Sequence, residues 1–239
     1  AGYGVKFRLV YYKPASTKNI EHCENYTKNR LAVVRQLKYS ERNNNEIDMV
    51  LFVNGLPVVT MELKNLLTGQ RHTNAIRQWM QDRPVKDEKF LEFKRCLVHF
   101  AVGTEQVYMT TRLSGEKTRF FPFNKCYANE GLQVDGYKVS YLWEDVLRRD
   151  SLLDLIENYI NLQTTEEKEY NEKSRSIEVK KNTALIFPRY HQRRAIRKLT
   201  ADLLERGVGH RYLIQHSAGS GKSNSIAWLS HRLSGLHND

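Results

Sequence analysis

Residues 45–65, NEIDMVLFVNGLPVVTMELKN, constrain the fold more than any other stretch. Two short apolar runs, 49–53 and 58–63, flank Asn54-Gly55, which reads as two neighbouring strands joined by a tight turn. Asp48, Glu62 and Lys64 stand at the strand ends, where packing alone favours no charge. Glu62 and Lys64 are two apart and share a face of the sheet. Asp48 depends on register. A plain two-residue turn sets Val53 against Leu56 and Asp48 against Met61, which sends Glu62 to the other face. A three-residue loop or one bulge sets Asp48 against Glu62. Pro57 lacks the N–H that ordinary pairing uses, so an odd loop or a bulge is expected here.

The spacing matters because Asp48, Glu62 and Lys64 fit the pattern D-x(n)-E-x-K. Two carboxylates at sheet ends can hold Mg²⁺, a hard cation that takes oxygen ligands. The metal polarises a scissile phosphate and lowers the pKa of a bound water. Lys64 can orient or help deprotonate that water and offset developing negative charge. The plainer reading of the same acids is two solvated strand ends on a surface hairpin.

Downstream, 96–102 and 106–111 read as a second strand pair around Gly103, and 73–83 as a helix that stops before Pro84. Residues 151–160 place Leu152, Leu155, Ile156 and Tyr159 on one helical face, with Asp150 or Ser151 as cap. The charged segment 164–186 reads as a linker or solvated helix between a first domain, 1–163, and a second unit, 187–239. In that unit, Pro188 and Gly207 bracket a helix with Ile196, Leu199 and Leu203 on one face. A strand over 211–215 follows, then the loop HSAGSGKS, then a helix over 224–233 with Ile226, Leu229 and Leu233 inward.

Strand, glycine loop and helix are the context of a phosphate-binding loop. Gly219 and Gly221 let backbone N–H groups turn inward around Ser220, Lys222 reaches toward the β- and γ-phosphates, and Ser223 serves as a Mg²⁺ ligand. His216 stands where the general pattern has glycine. Just upstream, Tyr190 and Gln192 in RYHQ suit adenine recognition, the amide pairing with the base edge and the ring packing on its face.

The net charge of +11 over 239 residues points to a polyanion partner, with nucleic acid first. The basic clusters 6–13 and 193–198 are candidate DNA contacts. Cys23, Cys96 and Cys126 lack zinc or redox spacing, which suggests a reducing compartment, the cytoplasm. No apolar run reaches 18 residues, so no membrane partner is expected. The chain does not begin with Met and reads as a fragment.

The segments IDMVLFVNGLPVVTMELKN, LVHFAVGTEQVYMTTRLSGEKTRFFPFNK, YLWEDVL, FPRYHQ and HSAGSGKS, in this order, resemble the restriction (R) subunit of type I restriction-modification enzymes. The resemblance implies an α/β, PD-(D/E)xK restriction-endonuclease-like domain followed by the start of a RecA-like superfamily 2 motor. It implies a deoxyribonuclease that needs Mg²⁺ and ATP, acts on double-stranded DNA, and works with modification and specificity subunits. By matching position, Asp48 and Glu62 are the implied metal ligands and Lys64 the catalytic lysine. Tyr190, Gln192, Gly219, Ser220, Gly221, Lys222 and Ser223 are the implied ATP site. Related nucleases carry Gln-x-x-x-Tyr after the lysine. Here Gln78 is the candidate, with Asp82 at the tyrosine position. The second acidic motif and second lobe of a motor are absent from the sequence, so ATP hydrolysis by this piece alone is not expected. The competing readings are another ATP-dependent nuclease-helicase of repair or recombination, and a nuclease-dead DNA-binding module.

Overall fold

The computed structural model describes residues 8–132, 134–171 and 176–236. Its centre is a six-stranded mixed sheet in sequential order: β1 (Leu31–Lys38), β2 (Glu46–Val53), β3 (Leu56–Leu63), β4 (Val98–Val102), β5 (Val107–Thr110) and β6 (Phe121–Pro122). Neighbours run antiparallel except β3 and β4, which are parallel. Parallel neighbours need a crossover. Here it carries α2 (His72–Arg77), which runs directly into a π turn, Gln78–Asp82. The expected helix over 73–83 thus forms as two kinds of turn. Gly103 lets the β4–β5 turn approach this helix, because a Cβ there would lie 2.9 Å from His72 N.

Both sheet faces are covered. Phe100, Phe123, Val146, Leu152, Phe187 and Tyr190 lie in the larger hydrophobic cluster. Ile47, Val50, Ala75, Trp79, Leu91 and Ala101 form the second, on the α2 side. Strand β4 is buried along its whole length, as expected of a strand covered on both faces. This mixed α/β architecture fits a restriction endonuclease-like domain.

Helix α1 (Ile20–Thr27) precedes the sheet and α3 (Arg149–Asn158) follows it. Helix α3 buries Leu152, Leu153 and Leu155, but neither expected cap forms. The N-cap is Arg148. Asp150 lies in the first turn and bonds Lys13 and Tyr26, while Ser151 Oγ donates to Val146 O.

Residues 164–186 correct the linker reading. They belong to a long hairpin, β7 (Asn161–Asn171) with β8 (Ser176–Ile186). Glu166 faces Lys181 across it, and the two are ion-paired at 3.0 Å. Cross-strand pairing, not core burial, organises such a ribbon. Its base is anchored to the sheet by Thr111 Oγ1 donating to Leu185 O at 2.8 Å.

Helices α4 (Tyr190–Arg206) and α5 (Lys222–Ser234) complete the described chain, and Gly207 caps α4 with φ 77°. The expected strand over 211–215 is irregular, with Leu213 93% exposed. A buried strand needs neighbours for its N–H and C=O groups, and no described strand pairs with this one. In α5 the inward residue is Trp228. Ile226 and Leu233 are exposed and Leu229 is half-buried.

Candidate active site and glycine loop

The β2–β3 connection is a two-residue turn followed by a bulge. Asn54 and Gly55 both adopt left-handed φ values, 51° and 85°. Val53 opposes Leu56 and Phe52 opposes Pro57, after which Leu51 opposes Val59, Val50 opposes Thr60 and Met49 opposes Met61. Val58 is the extra residue. Continuing that register sets Asp48 against Glu62, so both side chains leave the same face. The turn is itself held: Asn54 Oδ1 accepts from Arg30 N and its Nδ2 donates to Leu9 O.

Asp48 lies beside Glu62, its Oδ2 accepting from Leu63 N at 2.7 Å. Glu62 is fully buried, 0% exposed. Its Oε1 accepts from Arg83 Nε at 2.8 Å, while Oε2 is buried without a hydrogen-bond partner. Burial pushes the Glu62 carboxyl up to about 8; the neighbouring Arg83 guanidinium opposes that rise, and Asp48 adds to it, by its charge and by accepting a hydrogen bond from the protonated Glu62. Lys64 follows just beyond the strand end, its N–H donating to Val102 O. Among the described residues its amine makes no ion pair with either carboxylate.

Beneath the pair, Thr60 Oγ1 and His99 Nδ1 share a buried hydrogen bond of 2.7 Å. Burial lowers the His99 pKa to about 3, so the ring is neutral. Trp79, stacked edge-on against His99, donates Nε1–H to Phe100 O and so fixes the π turn to β4. Gln78 lies in that turn with Oε1 buried and unpartnered. Asp82, four residues beyond Gln78, offers its carbonyl to Asn45 Nδ2 and Arg83 Nη1.

Arg83 is the site residue that sequence reasoning missed. Nothing distinguishes it, in sequence, from a solvated arginine at a helix end before proline. No group of three His, Cys, Asp or Glu side chains gathers to hold a metal among the described residues. Asp48 and Glu62 are the two carboxylates that could hold one together, and the buried Glu62 Oε2 is the oxygen a divalent cation would fit, because a carboxylate oxygen so placed needs a partner.

The glycine loop lies at the N-terminus of α5. Gly219 and Gly221 are left-handed, with φ 69° and 81°. Lys222 Nζ donates to Ser217 O at 3.1 Å and His216 O at 3.4 Å, curling over its own loop, and Ser223 is exposed. Ser220 is buried, with Oγ unpartnered. Gln192 Nε2 donates to Gly221 O at 2.8 Å, and its Oε1 accepts from Arg189 N. A Cβ at Gly221 would lie 2.6 Å from Gln192 Nε2, so glycine there admits the contact. Tyr190 is buried edge-on against Phe123 and Tyr141. A pocket of about 190 Å³ separates the loop from the sheet, lined by Phe121, Phe187, Arg189 and Gln192 among others.

The candidate DNA-contact clusters fare differently. Arg193 is buried, its guanidinium forked onto Asp145 at 2.9 and 3.2 Å and onto Ser151 Oγ at 2.7 Å, so it is not a solvated contact. Arg197 joins the same carboxylate at 2.7 Å. In the other cluster, Lys6 and Phe7 lie outside the described residues, and Lys13 pairs with Asp150.

Residues 2–118 match the family described as Type I restriction enzyme R protein N terminus. Two proteins of Methanocaldococcus jannaschii are similar over most of the chain. One, named as the MjaVIIIP type I restriction enzyme endonuclease subunit, is 29% identical over 87% of it. The other, named as the MjaVIIP endonuclease subunit, is 27% identical over 94%. The chain spans 19% of the length of each. No described helix is long and apolar enough to cross a membrane. With its sheet and its acidic pair, the chain is similar over residues 2–118 to the R-protein N-terminal family of type I restriction enzymes.

Proposed function

We propose that the chain carries a Mg²⁺-dependent DNA-cutting site in its sheet and, at the start of α5, the ATP-binding loop of a DNA-translocating motor. The partners in this reading are double-stranded DNA and the modification and specificity subunits of the same restriction system. The observation that carries it is the bulge at Val58, which turns Asp48 and Glu62 to one face with Glu62 Oε2 unpartnered. Asp48 and Glu62 would hold the ion from neighbouring strands. Bound there, Mg²⁺ supplies a polarised phosphate and a more acidic water. Lys64, two residues beyond Glu62, orients that water or takes its proton, and its charge offsets the charge growing on the phosphate. In this reading Gln78, on the π turn, would supply an amide to the site.

At the glycine loop, the two left-handed glycines turn N–H groups toward an anion. Lys222, now bonded to its own loop carbonyls, exchanges them for phosphate oxygens, and Ser223 stands beside it as a Mg²⁺ ligand. Gln192 ties the loop to the start of α4 and so supports the loop from the adenine side. Tyr190 is packed in the core and reaches a base only if its contacts with Phe123 and Tyr141 rearrange.

Glu62→Ala and Lys64→Ala in the full assembly test this reading. DNA cutting is lost while ATP hydrolysis and translocation persist. Cutting that survives both substitutions leaves the acids as structural groups, the reading that the Arg83–Glu62 ion pair by itself would favour.

A further inference from the structure

Arg83 does more than neutralise Glu62. Its guanidinium is held in place by the backbone: Nη2 donates to Glu46 O at 2.6 Å and Nη1 to Asp82 O at 3.4 Å. Pro84 follows and favours the non-helical backbone found at Arg83, φ −115° and ψ 78°. The side chain is buried with its partner, at 7% and 0% exposure. An arginine anchored this way stays when a cation arrives. It keeps Glu62 Oε1 occupied and leaves Oε2, buried and unpartnered beside Asp48, as the oxygen available to a ligand.

Ions differ in how they use a carboxylate. Mg²⁺ demands near-ideal octahedral geometry at short distances. Ca²⁺ takes six to eight oxygens and readily binds both oxygens of one carboxylate. We propose that Arg83 restricts Glu62 to one-oxygen ligation and so selects a small octahedral divalent cation, Mg²⁺ or Mn²⁺, over Ca²⁺. The inference rests on the metal-binding reading of this site and adds a specificity-determining residue to it. Arg83 touches neither the ion nor DNA and acts through Glu62 alone.

The test is calorimetric titration of the 239-residue chain with Mn²⁺ and with Ca²⁺ at one pH, in wild type, Arg83→Met and Arg83→Lys. The readout is the ratio of the two Kd values. Both ions are divalent, so loss of the arginine charge and competition by protons act on both alike and cancel. Wild type favours Mn²⁺. Arg83→Met frees Oε1 and narrows the ratio by about tenfold, the scale on which groups behind a metal ligand act. Arg83→Lys, which keeps a donor for Oε1, stays near the wild-type ratio. An unchanged ratio in Arg83→Met overturns the inference and leaves the metal site standing. Absence of binding in a folded wild-type chain overturns the metal site itself. Should Arg83→Met fail to fold, the infrared carboxylate bands of Ca²⁺-loaded wild type, differenced against Glu62→Gln, decide the matter. One-oxygen ligation is expected, and a two-oxygen splitting contradicts the inference.

Discussion

Among the described residues, two buried arginines face carboxylates, and each pair is built on a π turn. Arg83 follows the turn Gln78–Asp82, and Asp145 lies within the turn Leu142–Val146 opposite Arg193. The outcomes differ. Arg193 forks onto both oxygens of Asp145, with Arg197 and Ser151 completing the cluster. Partial burial tends to raise the Asp145 carboxyl, but the two arginines outweigh it and hold it down at about 2. Arg83 instead takes one oxygen of Glu62, leaves the other orphaned, and fails to prevent burial from pushing that carboxyl up to about 8. A guanidinium forked onto both oxygens of a carboxylate is a fastening, even with its Nε buried and unpartnered. A carboxyl oxygen left short of a partner in a dry place is a candidate position for a ligand. The first pair secures α4 to the sheet domain, and the second is the proposed cutting site.

That contrast breaks most visibly by substitution at the acidic pair. Lys64→Ala lowers the rate of DNA cutting by about 10²–10⁴-fold, the span of a positioned acid–base group, with unfolding midpoints unchanged. Asp145→Ala does the reverse. It strands Arg193 in the interior and destabilises the fold by about 3 kcal/mol, at the low end of the buried-pair range because Asp145 is partly solvated. Urea unfolding reads that loss, while Mn²⁺ affinity at Asp48 and Glu62 stays at the wild-type value.

The pH dependences have opposite signs. The Asp145 carboxyl is depressed in the folded chain, so its contribution is full above its ordinary value of 3.8 and is lost as pH falls through about 2. The Glu62 carboxyl is raised from 4.5 to about 8, so its contribution is full below 4.5 and is lost as pH rises through about 8. A cation at Glu62 must displace that proton. Its apparent affinity therefore climbs by up to about tenfold per pH unit and levels off near pH 8, which titrations between pH 6 and 9 would resolve. The smallest expected effect lies on the fastening side. Trp228→Phe removes the bond from Nε1 to Tyr159 O, 2.7 Å long, and costs about 1 kcal/mol in unfolding experiments.

The sheet was largely legible because its strands are short apolar runs separated by turn residues, and Asn54-Gly55 announces its hairpin. The need for a bulge could be read from two conflicting demands: a two-residue turn, and acids an even number of residues apart that must share a face. Other elements were hidden for physical reasons. The hairpin β7–β8 is held by a backbone ladder between strands that bury little, and along the chain those residues look like a solvated charge run. Residues 211–215 carry strand-like composition, but composition does not supply a neighbour to pair with. In α5, helical spacing singled out Ile226 and Leu233, whereas the indole of Trp228 has both the area and the N–H to dock on α3's end. Arg83 was hidden because its role comes from the π turn that delivers it, and a π turn leaves no local mark in composition.

The central claim is that one bulge turns two carboxylates onto a common face where they grip one cation. Anomalous scattering from crystals soaked in Mn²⁺ tests it most directly. The account predicts a single strong peak between Asp48 and Glu62 Oε2, on the α2 side of the sheet, with Arg83 still on Oε1. Side chains of Asp48 and Glu62 on opposite faces, or a Mn²⁺ site that touches neither, would contradict it.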